Sequence, residues 1–320
     1  MSGKSDSFAF LFPGQGSQRV GMLAEAASAY PEVRATFDEA SEALAVDLWE
    51  LAAHGPEERL NLTEFTQPVL LTASVALWRA WQEQGGGRPT VLAGHSLGEF
   101  SALCCAGVFG LPDAVRIVHE RGRAMQTAVP VGTGAMAAVL GLDDEVVMDA
   151  CAAVSAAENA VVEAVNFNAP GQVVIAGHAG AVDAAIRQLR DAGAKRAMPL
   201  PVSAPFHTSL MQPAAERLAA VLDSVVLAAP AIPVVNNVDA GFRSEPEAIR
   251  EALIRQIAAP VLWTRCMATV ASRGVSSAFE CGPGKVLGGL QRRIDKNLAC
   301  AFLEQPADLH AAVTDHPAAA

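Results

Sequence analysis

Gly94-His95-Ser96-Leu97-Gly98 has the G-x-S-x-G spacing that sets a serine on a sharp turn between a strand and a helix. The apolar run Val91-Leu92-Ala93 precedes it, and a helical stretch follows to about residue 109. Such a juncture pushes the serine side chain out of the sheet, and the helix N-terminus behind it offers positive potential and free N–H groups. Ser96 is therefore a candidate nucleophile; the bland alternative is an ordinary turn serine. A serine hydroxyl needs a base. Of the seven histidines, His207 lies in Pro205-Phe206-His207-Thr208, with apolar flanks instead of the charged flanks of a solvated loop. His310 stays open as a second candidate. His119 sits among charged residues on a helix, His316 lies in the tail, and His95, inside the elbow, is expected to point away from Ser96.

Two further features could serve such a serine. Pro13-Gly14-Gln15-Gly16-Ser17-Gln18 follows the first apolar run but matches neither phosphate-loop pattern. Gly282-Pro283-Gly284-Lys285-Val286 also lacks the Ser or Thr such a loop needs after its lysine. A glycine-rich turn beyond a strand can still present backbone N–H groups to a developing oxyanion, beside the N–H of the residue after the nucleophile, here Leu97. The other feature is Arg121. Ala114, Val118, Arg121 and Met125 step by four, three and four along one helical stripe, while Arg116, Glu120 and Arg123 share the solvated face. A guanidinium on an apolar stripe needs an anion, because an unpaired buried charge is costly. That anion is either a substrate carboxylate, gripped by two parallel N–H···O bonds, or an acid of the chain itself.

The elements that must hold these residues are short apolar runs alternating with helical patterns. Residues 8–12, 91–93, 234–236, 277–280 and 301–303 read as buried strands, and 68–84, 98–109, 113–128 and 210–222 as helices. That alternation predicts an α/β fold with a mainly parallel sheet covered on both faces. Residues 135–200 differ: strand 135–140, helix 144–156, strands 161–167 and 172–176, helix 179–192 and strand 195–200 give β-α-β-β-α-β, a ferredoxin-like unit. The expected organisation is a catalytic core from 1–131 and 204–320, with 132–203 inserted as a small subdomain. The tail after Gln305 is expected to fray.

Composition bounds the rest. The chain has 320 residues, 51% hydrophobic and 18% charged, enough for a large core and unlike a disordered chain. Mean hydropathy is positive, yet no apolar run approaches the length of a membrane span, and five apolar residues before Pro13 are too few for a signal core, so a soluble protein is expected. A net charge of −11 argues against nucleic acid or membrane surfaces as partners. Six cysteines with no CxxC pair read as reduced thiols of a cytoplasmic protein, and no metal motif is present, so no metal is expected.

Together these segments resemble malonyl-CoA:acyl carrier protein transacylases and, more broadly, the acyltransferase domains of fatty acid and polyketide synthases. The resemblance is carried by FPGQGSQ (12–18), LTASVALW (71–78), AGHSLGE (93–99), RGRAMQ (121–126), VNFNAPGQVVIAG (165–177), AKRAMPLPVS (194–203), PVVNNVD (233–239) and GPGKVL (282–287). It implies an α/β-hydrolase-like core with a ferredoxin-like insert, and malonyl transfer from CoA to the phosphopantetheine thiol of acyl carrier protein in fatty acid biosynthesis. By the same resemblance Ser96 is acylated and His207 is its base, oriented by a backbone carbonyl at Gln256. The N–H groups of Gln15 and Leu97 form the oxyanion hole, and Arg121 holds the malonyl carboxylate. Leu97 and Phe206 fit the pattern of malonyl-preferring members, and Gln67, Asn166 and Asn168 fall near the cleft. No permanently bound cofactor and a monomeric state are implied. An acidic carrier protein meeting a chain of −11 needs a local basic patch, for which Lys195, Arg196 and Lys285 are candidates. Three other readings stay open: a trans-acting acyltransferase of a polyketide pathway, a serine thioesterase or hydrolase with an unidentified acid, and a non-catalytic carrier-binding module.

Overall fold

The computed structural model describes residues 7–202 and 204–319; Ser203, the last residue of the expected insert, lies outside them. Among the described residues there are nine strands: β1 (Phe8–Phe12), β2 (Val91–Gly94), β3 (Gly134–Leu140), β4 (Val162–Ala169), β5 (Gln172–His178), β6 (Arg196–Pro199), β7 (Val234–Val235), β8 (Ser277–Glu280) and β9 (Ala299–Phe302). They form two sheets, ordered β7-β2-β1-β8-β9 and β4-β5-β3-β6.

The five-stranded sheet is parallel throughout. Along β1, Phe8, Phe10 and Phe12 enter one apolar cluster and Ala9 and Leu11 another, so both faces of the central strand are covered. Helices Thr63–Glu83, Leu97–Cys105 and Leu111–Gln126 cover the first face, and Trp263–Ser272 covers the second. The strand period of two thus sends the three phenylalanines to one face and Ala9 and Leu11 to the other. The four-stranded sheet is antiparallel, and its helices Asp144–Glu158 and Ala179–Asp191 share a cluster of their own with it. Its strand order is that of the expected ferredoxin-like unit. The edge strand β4 is tied to the segment leading into the helix Trp263–Ser272 of the core: Phe167 N donates to Val261 O at 3.0 Å and Val261 N to Val165 O at 2.9 Å.

Several elements differ from their sequence expectation, among them the helix expected over 98–109, which ends at Cys105. The helix expected from residue 68 starts at Thr63, leaving Pro68 in its interior. Proline has no N–H to give the carbonyl four residues back. That carbonyl, Glu64 O, lies 2.9 Å from His119 Nδ1, so the histidine that looked unremarkable fills the gap. The tail does not fray: Pro306–Asp315 is a helix, Pro317 bridges to Gly86, and Ala318 N donates to Gly85 O at 2.8 Å. His316 packs on the rings of Phe8 and Phe279. The last strand falls at Ala299–Phe302, two residues before the expected run. Among the described residues no helix is long and apolar enough to cross a membrane.

Candidate active site

The parallel strands end at one edge, and the chemistry collects there. β2 runs into Ser96, whose backbone is forced to φ 51° and ψ −106° before the helix Leu97–Cys105 begins. A positive φ is costly for a residue with a Cβ and persists only where the surroundings impose it. Close packing imposes it here. A Cβ on Gly98 would sit 2.0 Å from Phe12 O, and one on Gly14 would sit 2.6 Å from His95 O. The loop after β1 and the turn after β2 therefore meet backbone to backbone, which only glycine allows.

Ser96 Oγ lies 2.8 Å from His207 Nε2, and His207 Nδ1 lies 2.8 Å from the main-chain oxygen of Gln256. A carbonyl can only accept, so Nδ1 carries the proton, Nε2 is the lone-pair nitrogen, and Ser96 donates to it. That is the tautomer of a general base, oriented by a peptide carbonyl rather than a carboxylate. His310 lies exposed on the C-terminal helix and lines no part of this cleft. Burial, then the Arg121 cation, pull His207 down to about 3, so it is neutral at ordinary pH. Arg121 is 1% exposed. Its Nη1 donates to Gln67 Oε1 at 2.9 Å, and its Nη2 to Gln256 Oε1 at 2.8 Å and Ser96 Oγ at 3.1 Å. The Phe100 ring lies beneath its guanidinium at 5.1 Å. Nε has no partner among the described residues. These acceptors are neutral oxygens, and among the described residues no carboxylate lies within ion-pair distance of the guanidinium, the internal pairing that the helical stripe left open. Burial lowers Arg121 to about 9, opposed by the charge of Glu99.

A cleft of about 480 Å³ opens over Ser96, lined by Gln15, Gln67, Leu97, Arg121, Asn166, Asn168, Phe206 and His207 among others. Neither Gln15 N nor Leu97 N has a recorded acceptor among the described residues. Phe206 is 9% exposed on the cleft wall, and the buried Asn166 Oδ1 has no partner among the described residues. β4 bulges at Ala164–Asn166 and again at Phe167–Ala169, which turns both asparagines of this strand toward the cleft. Asn168 Oδ1 accepts from His95 Nε2 at 2.8 Å, and that ring also packs on Trp263. Lys285 adjoins Val286 and Leu287 of the cleft wall, with its ammonium 4.9 Å from the Phe302 ring centroid. Lys195 and Arg196 line a separate hollow, shared with Arg293. Among the described residues no cluster of three or more His, Cys, Asp or Glu could hold a metal.

Two residues of the site were not singled out from sequence. Asn237 Oδ1 accepts from Ser96 N at 2.7 Å, and its Nδ2 donates to Gly94 O at 2.8 Å, so it clamps both ends of the elbow. Glu99, 2% exposed, receives N–H groups from Asn237 and Gln256. The signal was present: an asparagine pair just past a parallel strand, at the edge where such sheets bind ligands, and a carboxylate between Gly98 and Phe100 on an otherwise apolar helix.

Residues 9–289 match the acyl transferase domain family. The malonyl CoA-acyl carrier protein transacylase of Escherichia coli K12 is 57% identical over 306 residues, 96% of this chain and 98% of that protein. The solved transacylase of the same description from Coxiella burnetii is 46% identical, with TM-score 0.96 and 98% of both chains covered. A malonyl-transacylase solved in complex with its type II polyketide synthase acyl carrier protein is 52% identical, with TM-score 0.95, covering 97% of this chain and 100% of that one.

Proposed function

The chain belongs to the acyl transferase domain family, and from that membership we infer that it moves a malonyl group from CoA to the phosphopantetheine thiol of acyl carrier protein in fatty acid synthesis. The observation that carries the reading is the Ser96–His207–Arg121 cluster: a nucleophile, its neutral base and a buried cation in contact with one hydroxyl.

His207 Nε2 takes the Ser96 proton as Oγ attacks the malonyl thioester carbon. The oxyanion is received by the N–H groups of Gln15 and Leu97. Collapse breaks the C–S bond, the CoA sulfur leaves with the proton from His207, and malonyl-Ser96 remains. In the second half-reaction the carrier thiol gives its proton to His207 and attacks the ester carbon, and Ser96 leaves as the hydroxyl. Arg121 holds the free malonyl carboxylate through both halves, trading its neutral acceptors for a charged one. Pairing with that carboxylate also offsets the cation that depresses His207, so a carboxylated acyl group strengthens the base that transfers it. Phe206 on the wall crowds a substituent at the malonyl C2. Gln67, Asn166 and Asn168 complete the acyl and pantetheine contacts.

No resident cofactor is required, since the carrier brings its own phosphopantetheine. We read the chain as a monomer whose small unit spans 132–203, and the six free thiols support a reducing, cytoplasmic setting. A second reading, service to a polyketide carrier protein, is favoured by the 52% identity to the transacylase solved with such a partner. The first experiment is intact mass after brief mixing with malonyl-CoA alone. A stable gain of one malonyl group, absent in Ser96→Ala and discharged by carrier protein, is the expected result. Continuous CoA release with no adduct makes water the acceptor and the protein a hydrolase.

A further inference from the structure

Glu99 takes no part in the steps above, yet it is enclosed one turn behind the nucleophile. Burying a carboxylate is costly unless donors match its oxygens. Here Oε2 receives Gln256 Nε2 at 2.7 Å and Asn237 N at 2.9 Å, two groups that themselves build the site. Burial raises Glu99 to about 7, against the pull of those two donors and of Arg121.

Gln256 holds the site at two levels. Its main-chain oxygen faces His207, while its side chain faces Arg121. The two ends of an amide are nearly isosteric, so neighbours decide which end points where. Nε2 meets only acceptors: Glu99 Oε2, Ser96 O at 3.1 Å and Asn237 Oδ1 at 3.5 Å. Oε1 meets the guanidinium at 2.8 Å. Turned over, the amide would set N–H against N–H at Arg121 and oxygen against oxygen at Glu99. We propose that Glu99 is a positioning residue for acyl-group selection: it holds the Gln256 amide with its oxygen toward Arg121, and so fixes the guanidinium where the acyl carboxylate is received. This rests on Arg121 being the carboxylate clamp. The His207 contact is main-chain, carried by the helix Pro246–Ile257, so turning the side chain leaves the base oriented. Loss of Glu99 should therefore damage selection more than acyl transfer itself.

The test compares kcat/KM for malonyl-CoA and acetyl-CoA, the latter lacking the carboxylate, in the full chain carrying Glu99→Leu, Glu99→Gln or Arg121→Ala. Glu99→Leu is expected to lower the malonyl-to-acetyl ratio about tenfold or more, as loss of a hydrogen bond to a charged group predicts. Glu99→Gln, which can keep an oxygen at the Oε2 position, should restore the ratio to within about threefold of the parent. Parallel loss with both donors in Glu99→Leu, or a Gln variant as unselective as the Leu variant, overturns the proposal. If Glu99→Leu does not fold, Gln256→Leu breaks the same relay and must lower the ratio alike. A ratio that collapses in Arg121→Ala but holds in the Glu99 and Gln256 variants keeps the clamp and refutes the role of Glu99. A ratio intact in Arg121→Ala refutes the clamp, and the proposal with it.

Discussion

His207 shows at the residue scale how an enclosed site sets its own chemistry. Its lowered value keeps Nε2 unprotonated far below the ordinary histidine value of 6.5. The acid limb of kcat/KM for acylation by malonyl-CoA should therefore lie well below that value; a limb at or above 6.5 contradicts the environment described. The same protons act on stability. Between 6.5 and about 3 only the unfolded chain protonates this histidine, so its contribution is lost as pH falls. Glu99 acts in the opposite sense: between 4.5 and about 7 only the folded chain holds its proton, so its contribution is lost as pH rises. The two offset each other until the pH drops below 4.5. Glu99→Gln removes one side of the balance, so its denaturation midpoint should begin to fall as soon as pH passes below the histidine value. Arg121→Ala should lower kcat/KM for malonyl-CoA about tenfold to 150-fold, the worth of a charge-assisted hydrogen bond of roughly 1.5–3 kcal/mol. Acetyl-CoA should be affected far less, and equal losses would show that Arg121 serves something other than the carboxylate.

At the scale of elements, the site depends on how closely two turns can approach. Gly14→Ala places a Cβ against His95 O and should push the loop carrying Gln15 away from the elbow. Loss of one oxyanion donor lowers kcat about 100- to 1,000-fold in comparable sites, so a drop of that order in the folded variant is expected, beside a lower Tm from the clash with the His95 main chain. An unchanged kcat would remove Gln15 from the oxyanion hole. Much of this level was legible in sequence. The elbow, the stripe bearing Arg121 and the β-α-β-β-α-β order were open to inspection because each is a local pattern of spacing. What was not legible depends on contacts between distant segments. Pro68 looks like a helix start until His119 is seen beside Glu64 O, 55 residues away in sequence. Glu99 and Asn237 are 138 residues apart, and neither is informative alone. His207 and His310 stay open on their flanks alone; the family resemblance favours His207, and the fold brings it to hydrogen-bond distance from Ser96.

At the scale of the whole molecule, the acidic carrier protein that the resemblance implies would have to dock on a chain of net charge −11. The cations near its openings should then govern docking more than chemistry. Lys285→Glu, beside the cleft wall, and Lys195→Glu with Arg196→Glu, at the neighbouring hollow, should each raise KM for carrier protein several-fold, with less effect on KM for malonyl-CoA. A carrier KM unmoved by both changes would place the docking face elsewhere. The small unit is also braced against the histidine loop: Glu163 on β4 accepts from Ser209 N and Ser209 Oγ, at 2.9 and 2.6 Å, two residues beyond His207. Glu163→Ala should therefore lower kcat although it lies outside the cleft lining, and unaltered turnover would show that the brace serves stability alone.

The pairing of the tail with the Gly85–Gly87 turn has a further consequence. His316 rests on Phe8 at 4.8 Å between ring centroids, so the beginning and end of the described chain lie side by side. Neither segment lines the cleft. A short glycine-serine bridge could thus close the chain into a ring, and the ring could be reopened at Val131, 86% exposed in the turn before β3. Such a circular permutant would start at the small unit and end at the helix carrying Arg121, with the order of the genetic message changed and the catalytic cleft kept whole.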